Sequence, residues 1–139
     1  MGSDFSADLV ELTRQSMEAA NDRDFGAMAM TFAADAVFDM SAAGLGRFHG
    51  RAQIRRYLED WIGSYEQQRF SGWEGEELGN GVVFVVAQLE ARPRGSDASV
   101  QERWAFTVRW RDGAISQVVA TRDTAQARAH AEALARSPR

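Results

Sequence analysis

The chain contains no cysteine. Disulfides, thiolate nucleophiles and cysteine-ligated metals are therefore excluded, and the redox state of its compartment cannot be read from it. It has two histidines, His49 and His130, far apart in sequence, which disfavours a histidine-built zinc site. It lacks an excess of basic residues. The net charge is −4, whereas a nucleic-acid partner calls for a basic face. No apolar run approaches the roughly 18 residues of a membrane span. The acidic, polar start lacks the basic-then-apolar pattern of a signal peptide. The expectation is a cytoplasmic protein without metal or other cofactor, with neither nucleic acid nor membrane as partner.

What is present is ordinary for a globular domain: 139 residues, 45% hydrophobic and 26% charged, enough to bury a core without staples. One stretch organises the rest. Asp35–Met40 reads as a short strand, and Ser41–Gly50 as a loop punctuated by Gly44, Gly46 and Gly50. Ile54, Tyr57, Leu58, Trp61, Ile62 and Tyr65 then recur at helical spacing, an amphipathic helix that must lie across a sheet.

Upstream, residues 1–6 read as a frayed lead. Leu9, Leu12, Ser16 and Ala20 share one stripe of a first helix, flanked by Thr13 and Met17. Asn21–Asp24 is a turn, and Phe25, Met28, Ala29 and Phe32 mark a short second helix. Downstream, Gln67–Leu78 reads as a strand bulged at Gly72 and Gly75, and Val82–Ala91 as a buried strand. Val100–Arg111 alternates strictly with period two, as a half-buried antiparallel strand does. Ala114–Arg122 is the last strand. Asn80-Gly81 and Asp112-Gly113 are hairpin turns, Pro93–Ser99 is a polar turn, and Asp123-x-x-Gln126 caps a final alanine-rich helix to about Ala135, followed by a loose tail over residues 136–139. The class is α+β in a single domain: a curved, mainly antiparallel sheet with three helices over its concave face, enclosing a cone-shaped cavity.

Several residues carry potential chemistry. Glu102 shares its strand face with Trp104, Phe106, Val108 and Trp110; poor solvation there would raise its pKa and suit a general acid, unless Arg92 or Arg94 pairs with it. Glu90 would lie almost opposite Glu102 if the hairpin centres near Ser96. Asp39 is either a base at the end of the first strand or a loop-capping carboxylate on its outer side. Ser16 offers a hydroxyl to a ligand or to its own helix carbonyl four residues back. His49 either swings over the cavity mouth or sits on the surface. Phe38, Met40, Tyr57, Trp61, Trp104 and Phe106 converge under the organising helix as a pocket wall for a small hydrophobic molecule, and the same rings could equally fill the core.

The N-x-x-D-F turn at Asn21–Phe25, F-A-A-D-A-V-F-D at Phe32–Asp39, G-R-A-Q-I-R-R-Y-L at Gly50–Leu58, E-R-W-A-F-T-V-R-W-R-D-G-A-I at Glu102–Ile115 and R-D-T-A-Q-A at Arg122–Ala127 together resemble the SnoaL-like group of the nuclear transport factor 2-like superfamily, over about residues 7–130. The resemblance implies the cone-shaped cystatin-like fold. It also implies kinship with ketosteroid isomerases and polyketide cyclases, and a homodimer formed through the sheet, for which Ala105 and Thr107 between Arg103 and Arg109 offer a small-residue patch. It places the isomerase base at Met40, the oxyanion tyrosine at Ser16 and the protonated acid near Phe106, so those three roles are absent. The cyclase-like acid has no counterpart between Ala114 and Arg122. The implied activity is cofactor-independent acid–base chemistry on a hydrophobic oxygenated metabolite through Glu102, then Asp39; the alternative is a non-catalytic ligand-binding or dimerisation domain of the same fold.

Overall fold

The computed structural model describes the backbone of residues 2–137 and the side chains of residues 9–137. Helix α1 (Gly2–Asn21) leads into α2 (Phe25–Met30), β1 (Phe32–Asp39), a single 3-10 turn (Ser41–Ala43), β2 (Arg47–His49) and α3 (Arg51–Gly63). Then follow β3 (Tyr65–Gly79), β4 (Val82–Pro93), β5 (Val100–Arg111), β6 (Ala114–Thr121) and α4 (Thr124–Arg136). The six strands form one sheet in the order β2-β1-β6-β5-β4-β3, antiparallel except where β1 runs parallel to β6. The fold class is α+β, as expected.

Four details depart from the sequence reading. Helix α1 starts at Gly2, where a frayed lead was expected; the loose tail lies, from Pro138 on, outside the described residues. Phe32 belongs to β1 rather than to the second helix. Arg47–His49, read as loop, is an edge strand paired with Val37–Asp39; three residues between glycines are too short for a period to show. The buried stripe of α1 holds Thr13 and Ala20, while Leu12 is exposed. Thr13 is inside because it answers a polar demand: the indole N–H of Trp110 donates to its hydroxyl at 2.9 Å, and that hydroxyl donates to the Leu9 carbonyl at 2.7 Å.

The turns follow their chemistry. Asn80-Gly81 and Asp112-Gly113 both adopt left-handed φ, the two-residue geometry that matches strand twist. Gly81 is further required because a Cβ there would collide with the Trp110 carbonyl. Of the two bulges expected in β3, the one at Gly72 falls between Ser71 and Glu74, whereas Gly75 stays in register opposite Val85. Asp123 caps α4 by accepting from the Gln126 amide at 3.0 Å. No helix among the described residues is long and apolar enough to cross a membrane.

Both faces of the central strands are packed. On the concave side Val83, Val85, Ala87, Leu89, Trp104, Phe106, Val108 and Trp110 meet residues of α1, α2 and α3 in the main core. On the other side Val82, Phe84 and Ala105 meet Ala127, Ala131 and Ala135 of α4. The patch around Ala105 and Thr107, expected to receive a second copy through the sheet, is therefore closed within the chain: Ala105 and Thr107 are buried and Arg109 is held by the Ser137 carbonyl. The small side chains that suit a second sheet also let an alanine-faced helix approach closely.

Thr107 is 1% exposed and its hydroxyl has no hydrogen-bond partner among the described residues. A buried hydroxyl left unpaired costs about 1–3 kcal/mol. Thr107→Val keeps the β-branched shape and removes that group, so it should raise the urea-unfolding free energy by about 1 kcal/mol; a loss of stability would show that the hydroxyl does find a partner.

Candidate functional site

A partly open cavity of about 70 Å³ lies between the concave face and the helices. Helix α1 contributes Thr13, Ser16, Met17 and Ala20 to its wall, and α2 contributes Met28. Helix α3 supplies Leu58, Trp61 and Ile62 as a roof, because their spacing places all three on the face turned to the sheet. Phe32, Phe38, Phe70, Phe106, Val108, Ile115 and Val118 complete it from four strands, β1, β3, β5 and β6. Thr13 and Ser16 are the polar members among the described residues. Thr13 is committed to Trp110 and Leu9, whereas the Ser16 hydroxyl has no hydrogen-bond partner among the described residues.

The wall adjoins an aromatic ladder. Phe48 stacks on Tyr57 with ring centroids 3.9 Å apart, Tyr57 on Trp61 at 6.1 Å, and Trp61 meets the edge of Trp104 at 5.5 Å, which in turn stacks on Phe106 at 6.2 Å. Tyr57 also lies 6.4 Å from Phe38. Burial, with the Tyr65 phenol nearby, pushes the Tyr57 hydroxyl up to about 12, and that hydroxyl has no hydrogen-bond partner among the described residues. Neutral tyrosine is thus its only form at ordinary pH.

Of the expected pocket residues, Ser16, Phe38, Trp61 and Phe106 line the cavity. Met40, Tyr57 and Trp104 stand behind them in the packed core. The expected acids lie elsewhere. Glu102 is on the concave side but at its rim, and both carboxylate oxygens are occupied. Oε1 accepts from the Trp104 indole at 3.1 Å and Oε2 from Arg122 at 3.2 Å. Arg122, which the sequence reading missed, also lies 5.3 Å over the Trp104 ring and reaches the Ala43 carbonyl at 3.5 Å, tying the glycine loop to the sheet. Arg92 and Arg94, the partners expected for Glu102, are engaged with Glu66 and the Gly63 carbonyl instead.

Glu90 does not face Glu102. The register pairs Glu90 with Gln101 and Leu89 with Glu102, so the turn centres between Gly95 and Ser96 rather than on Ser96. A one-residue shift moves a side chain to the opposite face, and Glu90 is exposed on the outer one, beside Gln67 and Arg69. Asp39 also points outward, as alternation with buried Phe38 and Met40 requires. It accepts from the Ser41 amide at 2.9 Å, the Ser41 hydroxyl at 2.6 Å and Arg47 at 3.2 Å. His49 lies on the same outer face, away from the cavity mouth.

Proteins of solved structure that resemble this chain share one fold. A hypothetical protein with ketosteroid isomerase-like fold from Catenulispora acidiphila, in complex with trimethylamine, is 19% identical over 76% of this chain and 79% of its own, with a TM-score of 0.68. A putative polyketide cyclase from Xanthomonas campestris is 20% identical over 88% of this chain and 96% of its own, at 0.73. A protein of unknown function with nuclear transport factor 2-like fold from Burkholderia pseudomallei is 21% identical over 86% and 94%, at 0.72. The architecture is thus that of the ketosteroid isomerase and nuclear transport factor 2-like class. The SnoaL-like domain family matches residues 13–118, and the chain belongs to it. No curated protein matches the sequence.

Asp39 yields a pH prediction. Partial burial pushes its carboxyl up, but the Ser41 hydroxyl, the Ser41 amide and the Arg47 guanidinium outweigh burial and hold it below the ordinary value. A carboxyl whose pKa is lower folded than unfolded stabilises the fold above the unfolded value of about 3.9, and that stabilisation is lost as pH falls through the folded value. Asp39→Asn should therefore lose less stability than the parent between pH 7 and pH values of about 2–3, read from urea midpoints. Parallel acid limbs for the two proteins would mean that the carboxylate is not held.

Proposed function

We propose that this SnoaL-like protein is a small-molecule-binding domain whose interior takes a compact, largely apolar ligand with one polar end directed at Ser16. The wall composition carries this reading: apolar and aromatic side chains surround a single uncommitted hydroxyl. A hydroxyl in such surroundings orients a ligand carbonyl or hydroxyl by one hydrogen bond, while the apolar wall supplies affinity. Acid–base chemistry inside the cavity would need a titratable group on its wall. Glu102 is clamped at the rim by Arg122 and Trp104, and Asp39 faces outward.

Size narrows the ligand. An apolar cavity of about 150 Å³ holds one benzene, and the cavity here is about half of that at 70 Å³. Anything as large as a single ring requires the wall to yield. Met17 and Met28 are the side chains suited to it, since methionine is unbranched and repacks at low cost.

Benzene and xenon are suitable probes, followed through the methyl signals of methionines labelled with ¹³C. Saturable shifts at Met17 and Met28, with Met30 unmoved, are expected, because Met30 is 71% exposed on the outside. Equal, non-saturating shifts at all three would sink the proposal. A Ser16→Val variant should bind benzene as well as the parent does but bind phenol less tightly, by about tenfold for one lost hydrogen bond.

A further inference from the structure

We propose that the outer face of the sheet carries a second site, separate from the cavity, that binds a small monocarboxylate. The site is a polar groove of about 630 Å³ across β5, β6, β1 and β2, beside the end of α4. Cross-strand register builds its floor. Arg109 pairs with Gln117, Val37 pairs with Gln117 from the other side, and Val37 pairs with His49. Partners in register share a face, so Arg109, Gln117, Val37 and His49 form one row.

Arg109 makes this row a site rather than a surface. It is only 9% exposed. A guanidinium carries five N–H donors, and the one protein acceptor described for it is the Ser137 carbonyl, at 2.6 Å from Nη2. No carboxylate among the described residues lies within ion-pair distance of it. A buried charge with one neutral partner among the described residues is held at a cost that a bound anion would relieve. Its forked donors suit the two oxygens of a carboxylate, and the Gln117 amide stands beside it to donate further.

The charges of the groove set the valence of the ligand. Arg47 is neutralised by Asp39 at 3.0 Å. Arg109 and Arg111 remain, opposed by Asp35, which makes no ion pair among the described residues. One positive charge is left over, which matches a monoanion and leaves a phosphate dianion half compensated. Asp35 also repels any anion that enters, so it selects against the more highly charged one.

The test uses the full chain labelled with ¹⁵N, titrated at constant ionic strength with sodium propionate, inorganic phosphate and sodium chloride. Propionate should shift the Arg109 Nε–H and the Gln117 side-chain amide saturably, with half-saturation on the order of 1 mM. Arg111→Ala should weaken this about tenfold, the effect of losing one charge-assisted hydrogen bond; Asp35→Asn should tighten it. Arg109→Lys should abolish the shift at Gln117, and because Arg109 also anchors α4, the exposed Arg111 variant keeps the test valid if Arg109→Lys fails to fold. Saturation by phosphate but not propionate overturns the assignment, as does an identical response to chloride or an Arg111→Ala variant that binds like the parent.

Discussion

Strand β5 has no solvent-facing side between Trp104 and Trp110. Trp104, Phe106, Val108 and Trp110 belong to the core under α1–α3, Ala105 to the smaller core under α4, and Arg109 is buried at the floor of the outer groove. Every other placement in the molecule is referred to this strand. The period of two divides the chain into a concave side with a cavity and an outer side with a helix and a polar groove. Several polar groups that the division carries inward are answered, while the Thr107 hydroxyl is left without a partner among the described residues. The Trp110 indole is answered by Thr13, the Trp104 indole by Glu102, and Arg109 by the end of α4.

This arrangement explains why the candidate acids lie off the cavity wall. The fold offers a carboxylate two economical positions near the cavity, the end of β1 and the inward face of β5. At the first, Met40 is fully buried and the adjacent Asp39 faces out. At the second, Glu102 sits one residue pair beyond the buried segment, where it anchors Trp104 and Arg122. A carboxylate held on both oxygens by cationic and indole donors serves the integrity of the rim. What remains on the cavity wall is apolar apart from Thr13, which is committed to Trp110 and Leu9, and Ser16.

The fold was largely legible because long periodic segments leave little choice. The twelve residues of β5, the apolar face of α3, the two Asx-Gly hairpins and the Asp123 cap are each a local signal that tertiary packing reinforces. The site was less legible, for reasons that are also local. Glu90 and Glu102 depended on whether a turn centres on a residue or between two, a difference that composition does not encode. Arg122 was unreadable because its partners, Trp104 in β5 and Ala43 in the turn after β1, lie far from it and from each other in sequence. Thr13 was passed over because a threonine on an apolar stripe looks like a flank until a buried indole is seen to need an acceptor. Arg109 was read as the rim of a small-residue patch because α4, which buries it, is fifteen residues further on.

The parallel pairing of β1 with β6 has a consequence for how the molecule comes together. All other neighbours in the sheet are joined by hairpins or short loops, but Phe38 must find Val118 across most of the domain. Closing a loop of that length is entropically expensive and slow relative to forming the hairpins. The β3–β6 meander can assemble from local contacts and then offer the free edge of β6 to β1. Until that edge exists, the apolar side of β1, with Phe32, Phe38 and Met40, has only the three residues of β2 beside it. During synthesis the first half of the chain therefore waits on the second. That unpaired strand is the segment most exposed to misassociation in the interval.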